Sequence, residues 1–172
     1  IVGQNVGAFA ATSDSANVVY IANKPAIATN QLFIVPSGGG ANVQLNGVLV
    51  ANGNVTGFVT TPDGLSVVYR ADQDIVGVFE LYRTVFFGGA NSKLNPPLTP
   101  GKSVTVFDVI PDNSGVVYVS DQTANTVFEL FRTAFSGNVN SQLNPPYFGT
   151  EEKLCSSSFS SIPKYVQTAD SK

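Results

Sequence analysis

Few residues of this chain are suited to chemistry, and most of those are carboxylates. The 172-residue chain has no histidine, and Cys155 is its only cysteine. It therefore lacks the side chain that most often serves as general base or metal ligand. No serine stands in a Gly-x-Ser-x-Gly sequence, the setting that exposes a nucleophilic serine in many hydrolases. The sequence thus predicts no catalytic and no cofactor-binding residue, and we expect the chain not to be an enzyme.

Three aspartates, Asp72, Asp74 and Asp121, are the weak candidates for binding a metal ion. Each follows a β-prone segment and lies in a polar loop, where carboxylates and carbonyls can supply the oxygen ligands that Ca²⁺ prefers. Their spacing fits no EF-hand, and Thr123 stands 49 positions after Asp74. Turn capping explains the aspartates better. We therefore expect no cofactor, with Ca²⁺ as the alternative.

Two glutamates and two arginines recur at one spacing. Glu80 and Arg83 are followed 49 positions later by Glu129 and Arg132. An offset of three residues places glutamate and arginine on opposite faces of a β-strand. If neighbouring sheets stack face to face, Arg83 can meet Glu129, or Glu80 can meet Arg132. We predict such ion pairs between sheets rather than a ligand site, and exposed pairs contribute only about 0–1 kcal/mol.

The spacing of 49 residues belongs to a repeat that covers most of the chain. Residues 61–72 recur at 110–121 and, in a weaker form, at 13–23. A fixed period between about 20 and 50 residues predicts a solenoid, a propeller or another array. The residues in phase include Phe9, Phe58 and Phe107; Tyr20, Tyr69 and Tyr118; Leu32, Leu81 and Leu130; and Leu45, Leu94 and Leu143, each of the last three followed by asparagine.

The middle repeat has the pattern of four short β-strands. Residues 55–60 and 67–71 are β-prone, and the turn formers Pro62, Asp63 and Gly64 between them predict a hairpin. A third strand is expected at 78–84 and a short fourth near 92–95, before two prolines that cannot donate to a ladder.

Alternation in the third strand predicts apolar residues on both of its faces. It places Val78, Glu80 and Tyr82 on one face and Phe79, Leu81 and Arg83 on the other. Four-stranded sheets that are covered on both sides and repeat radially describe a β-propeller. A β-sandwich is the rival, but it gives no reason for a strict repeat of a whole four-strand unit. The sequence therefore predicts an all-β fold of antiparallel, four-stranded propeller blades.

The repeat resembles that of the TolB-like β-propeller family. The resemblance covers nearly the whole chain, although the third copy has Asn113 for the turn glycine and the first has Gln31 for the glutamate. It implies the propeller fold, and it implies several roles, since propellers of this family serve as periplasmic binding partners, peptidase gates and surface repeats. The residues that carry it are Phe58, Pro62-Asp63-Gly64, Val67-Val68-Tyr69, Ala71-Asp72, Glu80-Leu81-Tyr82, Gly88-Gly89 and Leu94-Asn95.

The chain is predicted to be a single repeat array over residues 1–172. Blade 1 is expected at about 5–49, blade 2 at about 54–98 and blade 3 at about 103–147. Residues 148–172 are either a partial fourth blade or a tail. Because closed propellers typically have about 4–8 blades, and because the chain opens on Ile1 rather than methionine, we expect a piece of a larger assembly. Its other blades would come from a longer parent chain or from further copies.

Charge and composition narrow the range of partners. The net charge is −3, which makes nucleic acid an unfavourable partner. The sequence has no apolar run of about 20 residues, so we expect no insertion into a membrane. The content of Asn, Ser, Thr, Gly and Val resembles exported bacterial β-proteins, so we expect a secreted, cell-surface or periplasmic protein.

The function predicted from these observations is structural. We expect a non-catalytic β-propeller segment that mediates protein–protein assembly, self-assembly included. One alternative is a module that binds glycans or small ligands. The other is an accessory propeller domain of a larger enzyme such as a peptidase.

Overall fold

The computed structural model of the protein describes residues 5–24 and 29–144. Within these ranges every helix-or-strand element is a β-strand. Cys155 and the partial fourth blade or tail predicted at 148–172 lie outside the described residues, as does the end of the third predicted blade. The strands are β1 Val6–Ala11, β2 Asn17–Lys24, β3 Thr29–Pro36, β4 Val43–Gln44, β5 Val55–Thr60, β6 Ser66–Ala71, β7 Glu80–Val85, β8 Ser92–Lys93, β9 Val104–Val109, β10 Gly115–Ala124, β11 Val127–Ala134 and β12 Asn140–Gln142.

The strands form three antiparallel sheets of four strands each. In every sheet the strands lie in chain order, from β1 to β4, from β5 to β8 and from β9 to β12. Each strand therefore pairs with its neighbours in sequence, as the hairpin pattern predicts. The all-β fold and its four-stranded propeller blades are confirmed. We call the three sheets blade 1, blade 2 and blade 3.

The first strand of every blade carries a β-bulge at the same phase of the repeat. The bulged residues are Gly7, Thr56 and Thr105, where the pairing with the second strand shifts by one residue. Bulges bend an edge strand and discourage its pairing with other chains. The 49-residue repeat thus extends to the register of the backbone.

The turn between the first two strands of blade 2 is closed by Asp63. Its Oδ1 accepts a hydrogen bond from Thr61 Oγ1 at 2.6 Å, and Gly64 follows with φ of 69°. The in-phase residues Ser15 and Asn113 also have a positive φ, of 60° each. Glycine reaches this left-handed conformation most easily and asparagine tolerates it, which explains the turn residues in the second and third copies.

The third strand of blade 2 begins later than predicted, and the face predicted for Val78 is wrong. β7 starts at Glu80, because a turn in which Val78 N donates to Ile75 O at 3.0 Å precedes it and Gly77 has φ of 79°. The turn breaks the alternation. Val78 consequently packs in the cluster that contains Leu81, not in the cluster that contains Tyr82.

Candidate protein-interaction faces

Each blade has two faces of different chemistry. The leucine face is the one that carries Leu32, Leu81 or Leu130, and the aromatic face is the one that carries Tyr20, Tyr69 or Tyr118. In blade 2 the neighbouring residues Leu81 and Tyr82 enter two separate clusters, because successive strand residues point to opposite faces.

The leucine face of blade 1 packs against the aromatic face of blade 2. A hydrogen bond from a side chain to the backbone supports the junction, since Thr84 Oγ1 of blade 2 donates to Leu45 O of blade 1 at 3.0 Å. Burial of the apolar side chains in this cluster stabilises the junction by roughly 25 cal/mol per Å² of apolar surface removed from water. Its buried members are Val19, Ile21, Leu32, Ile34 and Leu45 from blade 1, with Val55, Val67, Tyr69, Ala71, Tyr82 and Phe86 from blade 2.

The junction between blades 2 and 3 follows the same rule. The leucine face of blade 2 meets the aromatic face of blade 3. Seven of the buried residues stand in phase with members of the first cluster, namely Val68, Leu81, Leu94, Val104, Val116, Tyr118 and Phe131, whereas Arg70 and Arg83 stand in phase with Ile21 and Ile34. One type of interface therefore joins both pairs of blades. Its buried members are Val68, Val78, Leu81, Leu94 and Leu98 from blade 2, with Val104, Val109, Val116, Tyr118 and Phe131 from blade 3.

The aromatic face carries the same stacked ring pair in every blade. The centroids lie 5.5–5.6 Å apart and the ring planes differ by 23–27°. Each of the corresponding tyrosines therefore stacks on the in-phase ring of its own blade, as a repeat of whole blades requires. The pairs are Tyr20 with Phe33, Tyr69 with Tyr82, and Tyr118 with Phe131.

The leucine face of blade 3 is open. Leu81 in blade 2 has no exposed surface, whereas the in-phase Leu130 is 39% exposed. Leu94 is 2% exposed and its counterpart Leu143 is 47% exposed. The residues that bury blade 2 against blade 3 are thus repeated at the outer side of blade 3, where they are accessible to solvent.

The aromatic face of blade 1 is open as well. Val55 and Val104 have no exposed surface, but the in-phase Val6 is 57% exposed. Phe9 is 76% exposed, and its counterparts in blades 2 and 3 are half-buried. Contiguous exposed apolar surface of this kind marks interaction sites. The described part of the chain therefore has two exposed apolar faces, one at each end of the array, and these are the candidate interaction faces.

The hydrogen-bond partners of Glu80 belong to its own blade. Its carboxylate is buried and accepts hydrogen bonds from Lys93 Nζ at 2.6 Å, Tyr82 OH at 3.1 Å and Leu98 N at 2.9 Å. Lys93 also forms an ion pair with Asp74 at 2.7 Å. Burial lowers the pKa of Lys93, but the hydrogen bonds from its ammonium group to Asp74 and Glu80 outweigh it and raise the pKa above the usual value.

Glu129 occupies the same position in blade 3 with fewer partners. Gln142 stands where blade 2 has Lys93, and its Nε2 donates to Glu129 Oε1 at 2.8 Å. Phe131 stands where blade 2 has Tyr82 and cannot donate. Among the described residues, Glu129 Oε2 consequently has no hydrogen-bond partner, although the residue is buried.

The arginines lie on the leucine faces, away from these glutamates. Arg83 Nε donates to Ser66 Oγ at 3.0 Å, and its guanidinium carbon lies 4.2 Å from the ring centroid of Phe135 in blade 3. Arg132 donates to Ser114 Oγ at 3.1 Å.

The structure does not bring the predicted ion pairs together. Among the described residues, the salt bridges are those of Lys93, and neither Arg83 with Glu129 nor Glu80 with Arg132 forms one. The reason is that each glutamate is held by donors of its own blade. Arg83 does reach the next blade, but its partner there is the Phe135 ring.

Asp72 and Asp121 each fasten a loop to the start of the blade's first strand. Asp72 Oδ1 accepts from Asn54 N at 2.5 Å and its Oδ2 from Gly77 N at 2.9 Å. Asp121 repeats both contacts with the backbone of Ser103 and Thr126. Their oxygens therefore serve backbone N–H groups.

No group of three or more metal-ligating side chains occurs within residues 5–24 and 29–144. Asp74, the third metal candidate, has its carboxylate directed to Lys93.

A hydrogen-bond network around the buried tyrosines was missed by sequence reasoning. Tyr69 OH accepts from Gly47 N of blade 1 at 3.1 Å and donates to Gln73 Oε1 at 2.8 Å. Asn91 Nδ2 donates to the same hydroxyl and to Thr84 Oγ1. Burial raises the pKa of Tyr69 to about 12.

Blade 3 repeats this network almost completely. Tyr118 OH donates to Gln122 Oε1 at 2.9 Å, and Asn140 Nδ2 donates to Tyr118 OH and Thr133 Oγ1. Pro96 stands in phase with Gly47 and has no N–H to offer, so the link from the preceding blade is absent here. The signal in the sequence was the 49-residue recurrence of Tyr, Gln, Thr and Asn.

The fold resembles that of several solved propeller proteins. The chain matches TolB from Agrobacterium tumefaciens with 13% identity and a TM-score of 0.58, over 82% of this chain and 49% of that one. It matches a puromycin-hydrolysing peptidase of Mycobacterium tuberculosis with 13% identity and a TM-score of 0.62, over 84% and 22%. It matches an oligogalacturonate lyase of Vibrio parahaemolyticus with 18% identity and a TM-score of 0.57, over 81% and 42%.

These matches show a TolB-like propeller fold. The chain spans about half the length of the Agrobacterium TolB and less than a quarter of the peptidase. No protein-family model matches its sequence, and no curated protein matches it either. Within the described residues no helix is long and apolar enough to cross a membrane.

Proposed function

We propose that this chain, a three-blade segment with a TolB-like propeller fold, is a non-catalytic module for protein–protein assembly. The single observation that carries the proposal is the pair of open faces. Leu130 and Leu143 at one end, and Val6 and Phe9 at the other, are exposed where their in-phase counterparts are covered by a neighbouring blade. A partner that supplies a blade at either end would bury apolar surface of a kind that already holds the array together.

The side chains that could do chemistry have structural partners instead. Glu80 is bound by four donors, and Asp72 and Asp121 bind backbone N–H groups of two chain segments each. A carboxylate engaged in this way is a poor general base, since proton transfer would break the contacts that hold the blade. This use of the polar groups supports a role without catalysis.

The test is whether association depends on the outer faces. We expect the chain to associate in size-exclusion chromatography with light scattering, and the double substitution Leu130→Glu with Leu143→Glu to reduce that association strongly. Val48→Glu is the matched control, because Val48 is 92% exposed and lies in the link after blade 1. A dispersed monomer at all concentrations, with no bound partner, would contradict the proposal.

The proposed location is secreted, cell-surface or periplasmic. The composition resembles that of exported β-proteins, and the net charge of −3 does not favour nucleic acid as a partner. Cell fractionation of the source organism tests the location, and recovery of the protein only from the cytoplasm would contradict it.

A second candidate is an accessory propeller domain of a larger enzyme. It is favoured by the match to the mycobacterial peptidase, of which the chain covers 22%. The flanking gene sequence tests this candidate, because it requires a hydrolase domain in the same reading frame.

The remaining alternative, a glycan or small-ligand module, rests on a cleft of about 430 Å³ at blade 1, lined by Gln31, Gln44 and Asn52 among others. A glycan array with no hits would exclude carbohydrate ligands.

A further inference from the structure

We infer that the partner of the open faces is a second copy of this chain, bound head to tail so that two chains close one six-blade ring. The inference rests on the proposed function, since it identifies the partner that the assembly module takes. The leucine face of blade 3 in one copy would meet the aromatic face of blade 1 in the other. Two identical junctions of this kind would form, and both ends of both chains would be covered.

The first argument is that the two open faces complement each other by the rule of the interior junctions. In both interior junctions a leucine face packs against an aromatic face. Blade 3 keeps the leucines of its face, Leu130 and Leu143. Blade 1 keeps Val6, Phe9 and Tyr20 on its aromatic face, in phase with residues that blades 2 and 3 bury or half-bury. Each chain therefore carries both halves of one further junction.

The second argument is the number of blades. Closed propellers typically have about 4–8 blades. The described residues of one chain form three blades, fewer than a closed ring needs, and those of three chains would form nine. Two chains supply six. A second copy would therefore cover both open faces of the described array with a permitted blade number.

The third argument identifies the two loops that lie next to each other at the new junction. Across the junction of blades 2 and 3, Asp63 N lies 3.4 Å from Asn113 Oδ1. The residues in phase with Asp63 and Asn113 at the new junction are Asp112 of one copy and Ser15 of the other. Head-to-tail closure therefore places the loop of Asp112 beside the loop of Ser15 of the second chain.

The experiment uses cysteines at these two positions, in the full-length chain with Cys155→Ser. One chain carries Asp112→Cys and another carries Ser15→Cys. We expect neither variant to cross-link with itself, and an equal mixture of the two to form a disulfide-linked dimer on mild oxidation. Light scattering of the unmodified chain should give twice the mass of one chain. The interior pair Asp63→Cys with Asn113→Cys in a single chain is the positive control, because the same contact is present there.

The outcomes distinguish the failure of the two-chain ring from the failure of the proposed assembly function. Cross-linking of Asp112→Cys with itself would show a symmetric face-to-face contact and would overturn the head-to-tail arrangement. Association that is lost in the Leu130→Glu, Leu143→Glu variant, but that gives no mixed disulfide and no two-chain mass, would overturn the closed two-chain ring and keep the assembly function. A monomer that binds nothing would overturn both, including any case in which the chain covers its own faces.

Discussion

The guanidinium group of Arg83 lies over the ring of Phe135, with 4.2 Å between the guanidinium carbon and the ring centroid. The two residues belong to different blades, so this stacking is part of the junction between blades 2 and 3. It replaces the ion pair with Glu129 that the repeat spacing predicts. A ring on the neighbouring blade suits the arginine because a planar guanidinium group stacks on aromatic faces and keeps part of its hydration.

The first prediction concerns this contact. Phe135→Leu keeps apolar bulk but removes the ring, so we expect the free energy of unfolding to fall by about 1 kcal/mol, as typical for a partly exposed cation–π contact. Urea unfolding measures the change. Phe128→Leu is the control, because Phe128 is 50% exposed on blade 3. Equal losses in both variants would contradict a specific role of the stacking.

The second prediction compares two in-phase tyrosines. Tyr69→Phe leaves Gly47 N of blade 1 without its acceptor, and an unpaired buried polar group costs about 1–3 kcal/mol. Tyr118→Phe should cost less, because Pro96 stands in phase with Gly47 and has no N–H to leave unpaired. Chemical unfolding of both variants measures the difference. A larger loss for Tyr118→Phe would show that the link between blades 1 and 2 does not depend on this hydroxyl.

Much of the fold could be predicted from the sequence because the repeat is strict in spacing. In-phase recurrence of the leucines and tyrosines, together with the turn formers around Gly64, sufficed to predict the four-stranded blades. The third strand of blade 2 was predicted two residues too early, since Val78 suits a strand by propensity. The turn at Ile75 and Gly77 that precedes β7 overrides this preference.

The candidate site was less predictable, for a physical reason. Glu80 finds its partner in Lys93, which lies in the two-residue strand β8, and the repeat gives no hint of this pair because Gln142 is in phase with Lys93. The 49-residue spacing identifies equivalent positions in the blades, but it does not show which side chains contact each other across a sheet. The partner of Arg83 was missed for the same reason, as Phe135 follows the strand of the next blade.

The third prediction concerns the two loop-fastening aspartates. Asp72→Asn keeps the size of the side chain but turns one acceptor into a donor, so it can satisfy only one of Asn54 N and Gly77 N. We expect a loss of about 1–3 kcal/mol in unfolding free energy, and a similar loss for Asp121→Asn. Asp74→Asn, at a half-exposed side chain, should cost only about 0–1 kcal/mol.

Calcium provides the complementary measurement on the same aspartates. Because Asp72 and Asp121 already bind backbone N–H groups, we expect millimolar Ca²⁺ to leave the melting temperature of the unsubstituted protein unchanged. A rise in melting temperature that disappears in Asp72→Asn would show that Ca²⁺ binds at this aspartate.

The fourth prediction is a loss of stability in alkali. The pKa of Lys93 is raised in the folded protein because its bonds to Asp74 and Glu80 outweigh burial. The pKa of Tyr69 is raised to about 12 by burial. A group whose pKa is higher in the folded state stabilises the fold fully below its unfolded pKa, and this contribution is lost as the pH rises through the folded value. The melting temperature should therefore be level from pH 7 to about 9.5 and should fall above the ordinary values of 10.0 for tyrosine and 10.5 for lysine.

Two substitutions at Lys93 distinguish the contribution of the lysine to the alkaline loss of stability from that of the tyrosines. Lys93→Gln, which copies Gln142 of blade 3, removes the charge at every pH, so its deficit against the unsubstituted protein should shrink above about pH 11. Lys93→Arg keeps its charge throughout this range because arginine does not deprotonate, and its melting temperature should fall less steeply in alkali. If all three proteins lose stability in parallel, the ion pairs of Lys93 with Glu80 and Asp74 do not contribute, and tyrosine ionisation alone drives the alkaline transition.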